Sequence, residues 1–379
     1  MKDKKIYIQS QTVCEDENGN FWFTSNSFNA LFFMDSKTEK IEYVVSFDET
    51  ENHSDSLYTR AYLWGEKIFF IPCVAEHIAV YDRKKNEVSY INIEKEYIAY
   101  NCVKFEENKL LLLPSIYKTY AWILNLEEES LEKINVKAKI DKEILDIYKV
   151  KCVLGNGFYK GKSIFVIPET NIVLCFDFTT HEMVAEVIHE VDAFFSTYNC
   201  DGRCLITSLD GSKVFSYEDG VNVIKKLAYD TTRLVIGENK TMAYSRIANV
   251  KSIGDIVLPV EGNKICILAK LNASFKEIAW NNIKGLVDGA QPFLDVFENN
   301  GKLYFFPYQC NTLLIYDYKL NNAEYKELYI SEETMLKIDK ELFFGKNKAD
   351  GVIASVIEQK NGIDLKWFLK VISNSVNGG

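Results

Sequence analysis

Five of the six prolines in this 379-residue chain close the same kind of phrase, a short run of large apolar residues. Ile68–Pro72 reads IFFIP, Leu110–Pro114 LLLLP, Ile164–Pro168 IFVIP, Asp255–Pro259 DIVLP and Leu303–Pro307 LYFFP. Two further copies end in threonine, FWFT up to Thr24 and CLIT up to Thr207. Successive anchors lie 48, 42, 54, 39, 52 and 48 residues apart. A continuous apolar run marks a strand buried on both faces. Proline can end such a strand only where its missing N–H is not needed by a neighbour. The chain is therefore a series of small, similar β units.

Each unit has the same internal order. A tight turn precedes the anchor, as in Gly65-Glu66-Lys67, Asp201-Gly202-Arg203 and Asn300-Gly301-Lys302. A third strand follows, often ending in an aromatic residue or Met plus Asp: Met34-Asp35, Tyr81-Asp82, Phe176-Asp177, Tyr316-Asp317. That Asp suits a turn, because its carboxylate accepts backbone N–H bonds. A fourth, partly polar strand closes the unit. A β repeat of about 47 residues belongs to propellers. The reading is an all-β, single-domain, seven-bladed β-propeller over residues 1–379, with four-stranded blades and an eight-bladed ring as the alternative. Residues 331–379 are read as a closing strand and a short C-terminal helical segment. Ser331 is its N-cap, Gly345 its stop, and Met335, Ile338 and Leu342 its apolar face. Either Lys5–Ile8 or Val352–Glu358 closes the ring.

The Ala61–Ile91 stretch resembles kelch-type propeller repeats in the order of turn, anchor strand, Tyr-Asp and trailing aromatic strand. Pro72-Cys73 stands where a kelch repeat has paired glycines. The first unit, with GNFWFT and then Asn29-Ala30, resembles a streptogramin-lyase-type repeat. These likenesses imply the superfold, of WD40-like general architecture, and leave function open.

In a propeller the starts of the inner strands ring one mouth of the central channel. Tyr58 and Tyr100 stand fourteen residues before Pro72 and Pro114, and Tyr244 fifteen before Pro259. They open the phrases Tyr58-Thr59-Arg60, Tyr100-Asn101-Cys102 and Tyr244-Ser245-Arg246. Arginine is scarce here, so Arg60 and Arg246 at equivalent places point to a bidentate site for an anion, with tyrosines beside it for a sugar or peptide. The competing reading pairs these arginines with acids between blades and packs the tyrosines. His77 and Trp280-Asn281 lie on loops of the same face.

The net charge of −10 disfavours nucleic acid and anionic lipid. No apolar stretch reaches membrane-spanning or signal-peptide length. The nine cysteines are scattered, which fits reduced core thiols in a cytoplasmic protein. No HxH, HExxH or CxxC occurs, so no metal or cofactor is expected. Glu15–Asn20 is read as a hairpin turn and not as a calcium loop. The functional expectation is a non-catalytic, monomeric recognition or scaffold propeller that takes a small anionic or carbohydrate-like ligand, or a peptide, at the channel mouth. The alternatives are a lyase or glycoside-directed hydrolase using acids and His77 at that face, and a scaffold that serves only protein–protein interaction.

Overall fold

The computed structural model describes residues 5–338, apart from 26–28, 49–56, 95–98, 190, 201, 210–213, 219–222, 227–244, 251, 260–263, 269–274, 280–282 and 287–290. A short strand β1 (Ile6–Tyr7) comes first. Antiparallel sheets then follow the order of the chain. The first is β2 (Ser10–Glu15), β3 (Phe21–Ser25), β4 (Ala30–Met34) and β5 (Ile41–Ser46). The next two are β6 (Tyr58–Trp64), β7 (Lys67–Pro72), β8 (His77–Asp82), β9 (Glu87–Asn92), and β10 (Tyr100–Glu106), β11 (Lys109–Pro114), β12 (Tyr120–Asn125), β13 (Ser130–Asn135). After β14 (Lys137–Lys139) and helix α1 (Lys142–Val150) come β15 (Leu154–Tyr159), β16 (Lys162–Ile167), β17 (Ile172–Asp177) and β18 (Glu182–Val187). The rest are β19 (Phe194–Cys200), β20 (Arg203–Ser208), β21 (Val214–Glu218), β22 (Val223–Lys226); β23 (Ser245–Val250), β24 (Gly254–Pro259), β25 (Lys264–Leu268), β26 (Phe275–Ala279); and β27 (Phe293–Asn299), β28 (Lys302–Pro307), β29 (Thr312–Asp317), β30 (Asn322–Glu327). Strand β31 (Tyr329–Ile330) ends the series.

This is an all-β propeller built on four-stranded blades. Sheets of that form number six among the described residues, where seven or eight were expected. The β15–β18 sheet departs from it by gaining a fifth strand. Strand β14 pairs in parallel with the outer strand β18, and Lys137 N–H donates to the His181 carbonyl at 2.9 Å. An outer strand carries a row of unpaired backbone groups, and β14 covers this one.

The repeat marks behave as their chemistry requires. Asp35, Asp82, Asp177 and Asp317 each accept two backbone N–H bonds at 2.7–3.0 Å from the residues two and three further on. The residue four beyond each has positive φ: Glu39, Asn86, His181 and Asn321 at 54–57°. Asn and His are among the types that tolerate this region best, so His181 is a turn residue. Tyr58 pairs with Pro72, Tyr100 with Pro114 and Phe293 with Pro307, which puts each proline at the last rung of its ladder.

The core lies between neighbouring sheets. Phe69, Ile71 and Val80 meet Leu110, Leu112 and Trp122 in one such layer. Where the ends of the chain meet, Phe21, Phe23 and Phe32 meet Tyr304, Phe306 and Leu313, sealed by Ile8 and Ile330. Strands β1 and β31 pair across this seam, Ile6 with Ile330 and Tyr7 with Tyr329. Strands β1 and β31 form a two-stranded sheet of their own and add no strand to a blade, and Val352–Glu358, the other candidate closing segment, lies outside the described residues. Residues 332–338 are helical. Thr334 N–H donates to Ser331 Oγ at 3.1 Å, the expected N-cap, and the fully buried Ile338 joins the seam. Leu342 and Gly345 lie outside the described residues.

Candidate functional site

The inner strands begin with a recurring irregularity. Strands β2, β6, β15, β19 and β27 each carry a β-bulge near their first residues, around Gln11, Thr59, Gly155-Asn156, Phe195 and Leu294-Asp295. A bulge leaves extra residues unpaired and re-aims the side chains around it. Four consecutive sheets, those of β6, β10, β15 and β19, line a partly open cavity of about 170 Å³ at the starts of their inner strands. Its wall includes Thr59, Arg60, Asn101, Asn156, Ser196 and Tyr198.

Glycine makes this wall possible at β15. A Cβ on Gly157 would stand 2.5 Å from Cys204 Sγ and 3.0 Å from Thr197 Oγ1. A Cβ on Gly155 would strike Thr197 Oγ1 as well, and its φ of +141° suits glycine. The inner strands β15 and β19 therefore pack unusually close. Thr197 Oγ1 donates to the Ile164 carbonyl at 2.5 Å and accepts from Gly157 N–H at 3.0 Å. Between the two glycines, Asn156 lines the cavity, while its Oδ1, shut off from solvent, has no hydrogen-bond partner among the described residues. Burying an amide oxygen without a donor is costly.

Arg60 is the charged member of the lining. Its Nη1 meets Asp295 Oδ1 at 3.5 Å, joining the β6 and β27 sheets. The two side chains are 28 % and 27 % exposed, so the pair sits at the edge of solvent. Burial works against the guanidinium charge, but the Asp295 carboxylate, with smaller contributions from Tyr62, Cys102 and Tyr198, holds it above the ordinary arginine value. Burial pushes the Cys102 thiol up to about 12 against the pull of Arg60, so it stays protonated. Among the described residues, no carboxylate or imidazole lines the cavity.

The residues singled out from sequence divide as follows. Arg60, Tyr100 and Asn101 meet at the cavity. Asn101 acts as a latch: Nδ2 donates to the Val153 carbonyl at 2.9 Å and Oδ1 accepts from Gly155 N–H at 3.1 Å. Tyr58 turns away and is fully buried between Phe47 and Phe70. His77 stands at the start of β8, edge-on to Tyr90 at 5.6 Å, and is no part of the cavity wall. Arg246 lies in β23 with its backbone opposite Leu258. Tyr244, Trp280 and Asn281 fall outside the described residues. Asn156, Ser196, Tyr198 and Asp295 were missed. A Gly-Asn-Gly run inside a strand was the available signal, since interior glycines mark bulges and close backbone approach.

Pairing between sheets accounts for two other arginines. Arg83, with a 9 % exposed side chain, meets Asp16 at 3.5 Å and Glu17 at 3.0 Å from the neighbouring sheet. Arg203 meets the buried Asp255 at 2.6 Å. Asp16 also organises the Glu15–Asn20 hairpin: Oδ1 accepts from Asn18 and Asn20 N–H, each at 2.9 Å, and Oδ2 from Trp22 Nε1 at 3.0 Å. No group of three or more His, Cys, Asp or Glu fit to hold a metal occurs among the described residues.

No protein-family model matches the chain, and no curated protein matches it. Solved propellers do. Virginiamycin B lyase from Staphylococcus aureus is 11% identical with a TM-score of 0.58, over 81% of this chain and 96% of that one. A streptogramin B lyase is 14% identical with a TM-score of 0.58, over 81% and 94%. The extracellular domain of a putative hybrid two-component system from B. thetaiotaomicron is 12% identical with a TM-score of 0.57, over 82% and 40%. At such identities the likeness is one of fold: the chain is a β-propeller. Streptogramin-lyase propellers stand among its neighbours, while the kelch assignment is not confirmed.

Proposed function

We propose that this propeller is a recognition protein whose ligand is a small polar molecule held at the channel mouth. In this reading the five-stranded β14–β18 sheet serves as a seventh blade, and the inner strands of four blades wall the site. One observation carries the reading: a cavity of about 170 Å³ lined by Arg60 and by the polar residues Asn101, Asn156 and Ser196. At roughly 30 Å³ per water molecule, that volume suits a sugar-sized molecule better than a peptide. Among the described residues the lining holds amide, hydroxyl and guanidinium groups and no carboxylate or imidazole, which favours binding over acid–base chemistry in this reading.

The test is a thermal-shift and calorimetric screen with monosaccharides, sugar acids, amino acids and nucleotides. A ligand that binds only the folded state at about a hundred times its Kd adds about 2.7 kcal/mol. Asn156→Ala and Arg60→Ala are expected to abolish the shift given by a hit. A hit that both variants leave unchanged overturns the site.

A further inference from the structure

Resting on that reading, we infer that the ligand is a hydroxyl-bearing acid, a sugar acid in size and chemistry, and that Asp295 competes with its acid group for Arg60. The first observation is the state of Arg60. A guanidinium carries five N–H donors in a planar fork that matches a carboxylate. Here its one side-chain contact among the described residues is Asp295 at 3.5 Å, a single long approach and not a bidentate pair. Both partners remain about a quarter exposed, so the bridge is open to exchange. Arg60 also lines the cavity, whereas Asp295 does not. An anion in the cavity therefore lies against Arg60 without lying against Asp295.

The second observation fixes the rest of the molecule. Asn156 and Ser196 line the cavity beside Arg60, an amide and a hydroxyl that suit a ligand bringing hydroxyl groups of its own. An acceptor-only ion such as sulfate answers Arg60 but brings no donor to the polar groups of the wall. The hydroxyl of Ser196, in the same wall, adds a group that both donates and accepts. One acid group and at least one hydroxyl on a frame of sugar size meet all three demands. Asp295 then has a defined effect: it holds Arg60 in place when the site is empty and weakens the ligand by the competition it offers.

The experiment compares glucuronate, glucose 6-phosphate, glucose and sulfate by calorimetry on the full chain, wild type and Asp295→Asn, with folding checked by circular dichroism. Glucuronate, or the phosphate if that head group fits better, is expected to bind at least ~10-fold tighter than glucose, in line with one charge-assisted contact. Asp295→Asn is expected to tighten the acid by roughly 3- to 10-fold and to leave glucose unchanged, because only the charged ligand competes for Arg60. Should Asp295→Asn fail to fold, wild-type protein in rising salt replaces it, and the acid must lose affinity while glucose does not. Glucose binding as tightly as its acid, or an acid insensitive to both Asp295→Asn and salt, overturns this inference and leaves the recognition reading standing. Failure of every sugar and acid to bind either protein overturns both.

Discussion

At the scale of single residues, the acids near the chain ends show how position sets behaviour. Glu15 ends β2, beside Asp16 and across from Glu298 of β27. Burial first, then these two negative neighbours, pushes its carboxyl up to about 7. The folded state therefore binds this proton more tightly than the unfolded chain does. Its contribution is fully present below the ordinary glutamate range and is lost as pH rises through about 7. Solvent screening at a half-exposed site reduces the effect to about 1 kcal/mol. Glu15→Gln is expected to match wild type at pH 4.5 and to exceed it by about 1 kcal/mol at pH 8, measured by urea unfolding. Equal stability at both pH values would show that Glu15 titrates normally. Asp16 satisfies two backbone N–H groups and the Trp22 indole and faces the buried Arg83. Removing it leaves three donors without their acceptor and takes one of the acids from Arg83, which keeps Glu17, so Asp16→Ala should cost about 2 kcal/mol. Asp16→Asn, which keeps the acceptor oxygen, should cost distinctly less.

At the scale of elements, the sequence was most readable where one residue type has one physical use. The prolines at strand ends and the Asp-headed turns fell where expected, because a missing N–H and a short carboxylate leave few alternatives. The pairing of Tyr58 with Pro72 and of Tyr100 with Pro114 could be counted off the chain. The direction of those side chains could not. The bulge at Thr59 shifts the register, so Tyr58 enters the core beside Phe47 while Arg60 reaches the channel. Asp295 was hidden for the same reason: its partner is 235 residues away and its exposure depends on a bulge. Strand β15 tests this account. Gly157→Ala places a methyl group against Cys204 and the Ile164 carbonyl, and backbone cannot yield cheaply. We expect a loss of about 2–3 kcal/mol in urea unfolding, the range for overpacking. Adding Cys204→Ala should recover part of it. No recovery would place the strain at the backbone contact alone.

At the scale of the whole molecule, stability depends on how the ring is shut. An open array of repeats unfolds unit by unit, since each repeat touches only its neighbours. Here the two ends of the series meet in one layer: Ile8 and Phe21 from the start, Phe306, Leu313 and Ile330 from the end, with Ile338 beneath. The hydroxyl of Ser10 donates to the Pro307 carbonyl at 2.7 Å, and the Asn299 amide to the Gly19 carbonyl at 2.6 Å. Closure packs the first and last sheets against each other, so neither is left as a free end from which fraying can start. Ile8 is fully buried in this seam, so Ile8→Ala should cost about 3 kcal/mol through lost transfer energy and the cavity left behind. If the ring unfolds as one unit, that loss must also be felt on the far side. Amide exchange in β11, which makes no contact with the seam cluster, should speed up by the same free energy, about a hundredfold for 3 kcal/mol. Acceleration confined to β2–β4 and β28–β29 would mean that the sheets open independently and that the seam is only a local joint.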